Sequence, residues 1–185
     1  IALGLTLVYG LLRILHVAHA ALFTLGAYVG VITTNATGSL ALAFFISMLV
    51  SGLTGVAVFR LGYKPILSRP PFVALIASIG LYIAAEEIFR ILFGASGISF
   101  NNPPLQSQVP LFGGLQFKQA EIAVMFGTAV IIAALAYLQN RTRVGVACQA
   151  TVSDPQMAES FGISLQMVRD INFFVGSALA AFAGV

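Results

Sequence analysis

Long apolar runs, broken by short polar ones, set the pattern of this chain. A helix needs about 20 apolar residues to cross about 30 Å of hydrocarbon. Residues 1–12 read as the end of one such helix, and 16–34 as a second. "NATGS" at 35–39 makes a short turn between that helix and the clearest span, 40–59, which carries no charge. Another span covers 72–93, started by "RPP", since proline fits the first turn of a helix. A polar excursion containing Pro and Gly follows at 94–118. Residues 120–138 cross again, and a last helix opens near Leu165. The pattern predicts an all-α membrane protein, a polytopic bundle with about four complete or near-complete spans and two truncated ones.

Composition supports this. The chain is 59% hydrophobic and 8% charged, with 15 Phe and no Trp, and a soluble domain needs more surface charge than that. Its ends read as cut: Ile1 is not an initiator methionine, and Val185 falls inside an apolar run. The 185 residues are therefore expected to be one transmembrane domain lacking its N- and C-terminal parts. The single cysteine, Cys148, excludes an internal disulfide. The nine Lys and Arg do not cluster with aromatics, so nucleic acid is not an expected partner; the lipid bilayer is.

Those charges orient the spans. Arg60, Lys64 and Arg69 lie in one connection, and Arg141, Arg143 and Arg169 in another. Two spans separate them, so both can face the cytoplasm under the positive-inside rule. Small residues at four-residue spacing let helix backbones approach in lipid. Gly26 with Gly30, Ser47 with Ser51 and Gly55, and Gly176 with Ala180 and Gly184 are the expected packing positions. Within the 94–118 excursion, "VPLFGGLQF" alternates around Gly113-Gly114 as a hairpin does. An outer cap able to receive a soluble partner is weighed there against a plain loop, and the loop is preferred.

"DPQMAESFGIS" (154–164) interrupts the apolar pattern with a short capped helix. Asp154 suits the N-cap, with Pro155 at the first helical position and Gly162 as the left-handed stop; Ser153 with Gln156 is an alternative capping box. About seven helical residues cannot stand alone, so the helix must rest on something. Met157, Ala158 and Phe161 are expected on one side, a surface suited to a partner's groove. Packing on the protein's own loops is the competing reading, and the residue pattern leaves both open.

Titratable residues in the spans are few. Arg13, His16 and His19 sit three apart, but two histidines fall short of the three or four ligands of a zinc site. A polar cluster at the inner mouth of a path, or a buried hydrogen-bonded pair, fits better. Glu86, Glu87 and Arg90 lie in the 72–93 span, where Glu86 and Arg90 are expected to pair at i,i+4. Glu86 is 14 residues from Phe72, or about 21 Å along the helix, toward the outer side. An ion pair near the outer interface is weighed there against a pair that attracts a zwitterion. Intramembrane charges usually face a cavity or one another.

Three ordered motifs carry a family resemblance: "LVYGLLRILHVAHAALFTLGAYV" (7–29), "YKPILSRPPFVALIASIGLYI" (63–83), and the 141–185 stretch opening "RTRVGVACQATVSDPQMAESFGIS". They resemble the permease subunits of branched-chain amino-acid ABC importers. In "HVAHAA" the family's histidine is kept, but its Asn, Gly and acidic positions are not. Val146 and Gln149 stand where the family often has Arg. The resemblance implies a non-enzymatic importer subunit of the inner membrane that needs no cofactor. It further implies a cytoplasmic coupling loop at 141–169, with Asp154, Met157, Ala158, Glu159, Phe161, Gly162 and Ile163 engaging the ATPase. ATP-binding cassette subunits, a periplasmic or surface solute-binding protein, a second permease subunit and a small amino-acid solute are the implied partners. His16, His19, Glu86, Glu87 and Arg90 are candidates to line the path. The chain has no GxxxxGK[ST] loop, so ATP hydrolysis is expected elsewhere. A urea or short-amide ABC permease is the nearest alternative. An ion-driven secondary transporter is the more distant one, and it would want paired acidic residues near the midplane.

Overall fold

The computed structural model describes residues 1–12, 14–101, 108–110 and 116–185. Among them the order is α1 (Ala2–Leu12), α2 (His19–Thr37), α3 (Leu40–Val58), α4 (Pro71–Phe93), β1 (Gln108–Pro110), β2 (Gln116–Lys118), α5 (Gln119–Arg141), α6 (Arg143–Ser153), α7 (Pro155–Ser160) and α8 (Leu165–Gly184). The fold is an all-α polytopic bundle. Among the described residues four helices are long and apolar enough to cross a membrane: His19–Thr37, Leu40–Ile66, Pro71–Phe93 and Gln119–Arg141.

α8 is the hub, packing against α1, α2 and α3. Small residues make this possible. A Cβ on Gly26 would overlap Ala181, one on Gly55 would overlap Ser177, and one on Gly184 would overlap the Phe23 carbonyl. Ser47 and Ser51 are fully buried. Such backbone approach gains the dispersion contacts that hold helices together where the hydrophobic effect is absent. α5 is the contrast: none of its residues is buried, and it leans mainly on α6.

Besides α5, which runs on from 138 to Arg141, helix boundaries differ from the sequence expectation at three places. The second helix starts at His19 rather than His16, because residues 16–18 form a turn whose carbonyls at His16 and Val17 accept from His19 and Ala20. It then runs through Asn35 to Thr37, so the expected turn shrinks to Gly38, a left-handed cap at φ +68°. The Thr37 hydroxyl bonds back to Thr33 O within the helix at 2.8 Å, while the Asn35 side chain is engaged outside it, with Ser99 O and Asn101 N. The third difference is the end of α3, which continues as a π-helical turn (Phe59–Tyr63) and a short 3-10 turn (Lys64–Ile66).

In the 94–118 excursion β1 and β2 pair antiparallel, with Val109 opposite Phe117. The strands exist, against the preferred plain loop; Gly113 and Gly114 lie outside the described residues.

Candidate coupling surface and polar sites

Both basic connections come to one end of the bundle. Arg60, on the π turn, grips Asp170 of α8 through both Nε and Nη2, the shortest contact being 2.7 Å. One turn on, Lys64 donates to Gln166 Oε1 at 3.1 Å. The end of α3 is thus tied to the start of α8. At the opposite end Asn35 donates to Ser99 O and accepts from Asn101 N, joining the end of α2 to the segment after α4.

Three helices in succession fold across the basic end, each joint made by local cap chemistry. Thr142 closes α5 and opens α6: its hydroxyl donates to Leu138 O at 2.6 Å and accepts from Gly145 N at 3.1 Å. Where the sequence suggested only a loop before residue 154, α6 is a full helix, held back on α5 by Gln149 Nε2 donating to Gln139 O. Asp154 ends α6 and caps α7, its Oδ1 accepting from Gln156 N and Met157 N, both at 3.0 Å. The cap is therefore Asp154, not the Ser153–Gln156 box. α7 closes with a paired stop: Gly162 N donates to Glu159 O and Ile163 N to Ala158 O, with Gly162 at φ +82°. Residues without a Cβ reach that conformation freely. Ser164 then caps α8 through Met167 N.

The faces of α7 divide differently from the sequence expectation. Ala158 is buried and turned into the molecule, while Met157 and Phe161 point outward, Phe161 at 80% exposure. Positions 157 and 161 lie about 40° apart around a helix, whereas 158 is about 100° from 157. Glu159 and Asp154 are exposed, and Ile163 is half-buried. On α6, Cys148 is half-buried, which pushes its thiol above the ordinary value.

The two histidines lie at the same end. His16 is 2% exposed, and its Nδ1 shares a 2.6 Å hydrogen bond with the Tyr63 hydroxyl. The π turn brings Tyr63 there, and Phe173 of α8 closes over both rings. Ser78 of α4 anchors the same segment, accepting from Val17 N at 3.3 Å. His19 is buried too, but its ring lies 5.7 Å from that of His16, centroid to centroid, and neither of its nitrogens has a protein partner. The bonded pair is thus His16 with Tyr63, not His16 with His19. Sequence reading missed Tyr63 and Ser78, and no local pattern marks either. Arg13 lies outside the described residues.

On α4, Arg90 pairs with Glu87 at 2.8 Å, an i,i+3 contact, rather than with Glu86. Glu86 instead lines a cavity of about 290 Å3 between α2 and α4, together with Arg90, Thr24, Tyr28, Tyr82 and Phe89. Tyr28 stacks on Phe93 at 4.2 Å beside it.

A family described as "Branched-chain amino acid transport system / permease component" matches residues 1–185. The chain belongs to this family. It is 29% identical over 199 residues to the high-affinity branched-chain amino acid transport system permease protein LivH of Escherichia coli K12, covering 100% of this chain and 64% of that protein. It is 26% identical to the corresponding permease protein BraD of Pseudomonas aeruginosa, with the same coverage. A nucleoside ABC transporter permease protein, NupC of Lactococcus lactis, is 23% identical over 92% of this chain and 57% of its own length. The chain thus spans 57–64% of the length of these relatives. No solved structure matches it. Within the permease family, the capped α7 and its two outward apolar side chains form the candidate coupling surface.

Proposed function

We propose that this chain is the membrane-spanning part of an ABC importer permease that moves branched-chain or related amino acids across the inner membrane. ATP hydrolysis occurs on separate cassette subunits, which dock at the basic end. The observation that carries this reading, beyond family membership, is α7. Six residues are too few to be stable alone, yet the helix is capped at both ends and presents Met157 and Phe161 outward. A groove on the cassette subunit receives these two side chains. Asp154 and Gly162 fix the helix ends, and Ala158, Glu159 and Ile163 set its seat.

Closure of the ATPase dimer moves α7, and the bundle shifts between its two open states. Ser164 and the Arg60–Asp170 contact lie next on the chain of contacts, passing that movement to α8 and α3. A second permease subunit completes the path, and a solute-binding protein delivers from the outer end, where Asn35 of α2 meets Ser99 and Asn101. Glu86, Glu87 and Arg90 stand toward the outer end of the path; His16 and His19, expected at its inner mouth, are instead buried in the bundle, at 2% and 3% exposure.

The test is retention. The full-length protein, purified in detergent with its candidate ATPase subunit, should hold that subunit, and Phe161→Asp should release it while the permease stays monodisperse. A wild-type protein that retains no ATPase would sink the coupling reading.

A further inference from the structure

The cavity between α2 and α4 has the makings of a ligand site. Tyr82, Glu86, Phe89 and Arg90 follow one another at helical spacing on the α4 side, and Thr24 and Tyr28 face them from α2. At about 290 Å3 it sits at the small end of ligand pockets. Its charges are of both signs and one helical turn apart on a single wall. Among the described residues Glu86 takes part in no salt bridge. Arg90 gives one N–H to Glu87, and four of the five guanidinium donors remain. The Thr24 hydroxyl donates to Ala20 O at 3.1 Å, which leaves its lone pairs to accept from a ligand. Tyr28 and Phe89, with ring centroids 5.5 Å apart, supply aromatic faces that also attract a cation.

We infer that this cavity binds a small zwitterion, its ammonium against Glu86 and Thr24 and its anionic group against Arg90, with an apolar tail along Tyr28 and Phe89. Two sources carry that chemistry: a free α-amino acid, and the headgroup of a zwitterionic lipid. The inference takes the free amino acid from the importer reading above, whereas the pocket and its charges stand independently of it. Either charge alone satisfies half the wall, so ligands lacking the ammonium or the carboxylate bind poorly.

The experiment uses the full-length protein with Cys148→Ser and Ala95→Cys, a lining position with no part in the proposed contacts, in nanodiscs of phosphatidylglycerol only. A small charged thiol reagent reports whether the introduced thiol is open. Leucine should slow labelling by about tenfold, the size of one charge-assisted hydrogen bond. 4-Methylpentanoate, without the ammonium, and 3-methylbutylamine, without the carboxylate, should not. Glu86→Gln and Arg90→Gln should each remove the protection while the protein elutes as before. Protection by added phosphatidylethanolamine in place of leucine would keep the zwitterion site and assign it to a headgroup.

Labelling that leucine and phosphatidylethanolamine leave unchanged would overturn the inference, as would protection that survives both substitutions. A thiol the reagent never reaches would overturn it too, because the cavity would then be closed. ATPase retention on the same preparation separates the two ideas. Retention without protection removes the pocket alone, and loss of retention removes the importer reading.

Discussion

His16 and Glu86 are both polar residues in apolar surroundings, His16 just before α2 and Glu86 on α4, and they are held on opposite terms. His16 sits at the basic end, 2% exposed, bonded to Tyr63 and closed over by Phe173. Glu86 sits toward the other end, on the wall of a cavity, with its neighbour Arg90 paired elsewhere. A polar group buried in a packed cluster must find its partner within the protein, or it costs about 1–3 kcal/mol. One that opens on a cavity can take its partner from a ligand. The His16 cluster therefore reads as the fixed joint of the bundle, where α3, α8 and the residue 14–18 segment meet. The Glu86 cavity reads as the part left free to exchange contacts.

The largest effect should come from emptying the fixed joint. Phe173 is 1% exposed, stacks on Phe59 at 4.7 Å, and touches Tyr63 and His16. Phe173→Ala should destabilise by about 3–5 kcal/mol, the range for aromatic truncation in a core. The measurement is thermal unfolding in detergent, set beside Phe89→Ala. Phe89 lines an open cavity, so its truncation should cost clearly less. Equal losses at the two sites would erase the contrast between them.

Tyr63→Phe sharpens the same point at smaller cost. It removes only the hydroxyl and leaves His16 Nδ1 buried without its partner. About 1–3 kcal/mol should be lost, the cost of one unsatisfied buried group. A variant as stable as wild type would mean that the 2.6 Å contact adds nothing to the joint.

How far the sequence reveals these two sites differs for a physical reason. The spans follow from apolar run length, and the caps at Asp154 and Gly162 from chemistry confined to a few neighbouring residues. The family resemblance rests on motifs that the match over residues 1–185 supports. Partners far along the chain leave no local trace. His16 meets Tyr63 across 47 positions, and Arg60 meets Asp170 across 110. The π turn that swings Tyr63 inward has no cap residue or period to announce it. α6 was hidden because "VGVACQATVS" mixes small, polar and β-branched residues, and its helix leans on Thr142 and on α5. At Arg90 the local rule itself was degenerate: i,i+3 and i,i+4 partners are both within reach, and Glu87 and Glu86 compete on nearly equal terms.

That competition gives the smallest expected effect. Glu87→Gln removes the 2.8 Å ion pair, whose side chains are 66% and 51% exposed. An exposed pair contributes about 0–1 kcal/mol, so thermal stability should barely move. Its consequence should appear at the cavity instead. With Glu87 neutral, Arg90 loses its present partner, and the next carboxylate in reach is Glu86, one turn away. If Arg90 turns to it, the two charges on the cavity wall satisfy each other, and leucine should protect the introduced thiol at residue 95 less well than in the parent. Stability measured by thermal unfolding and protection measured by labelling would then part company. A fall in both together would show that the pair holds α4 in place rather than keeping Glu86 open to a ligand.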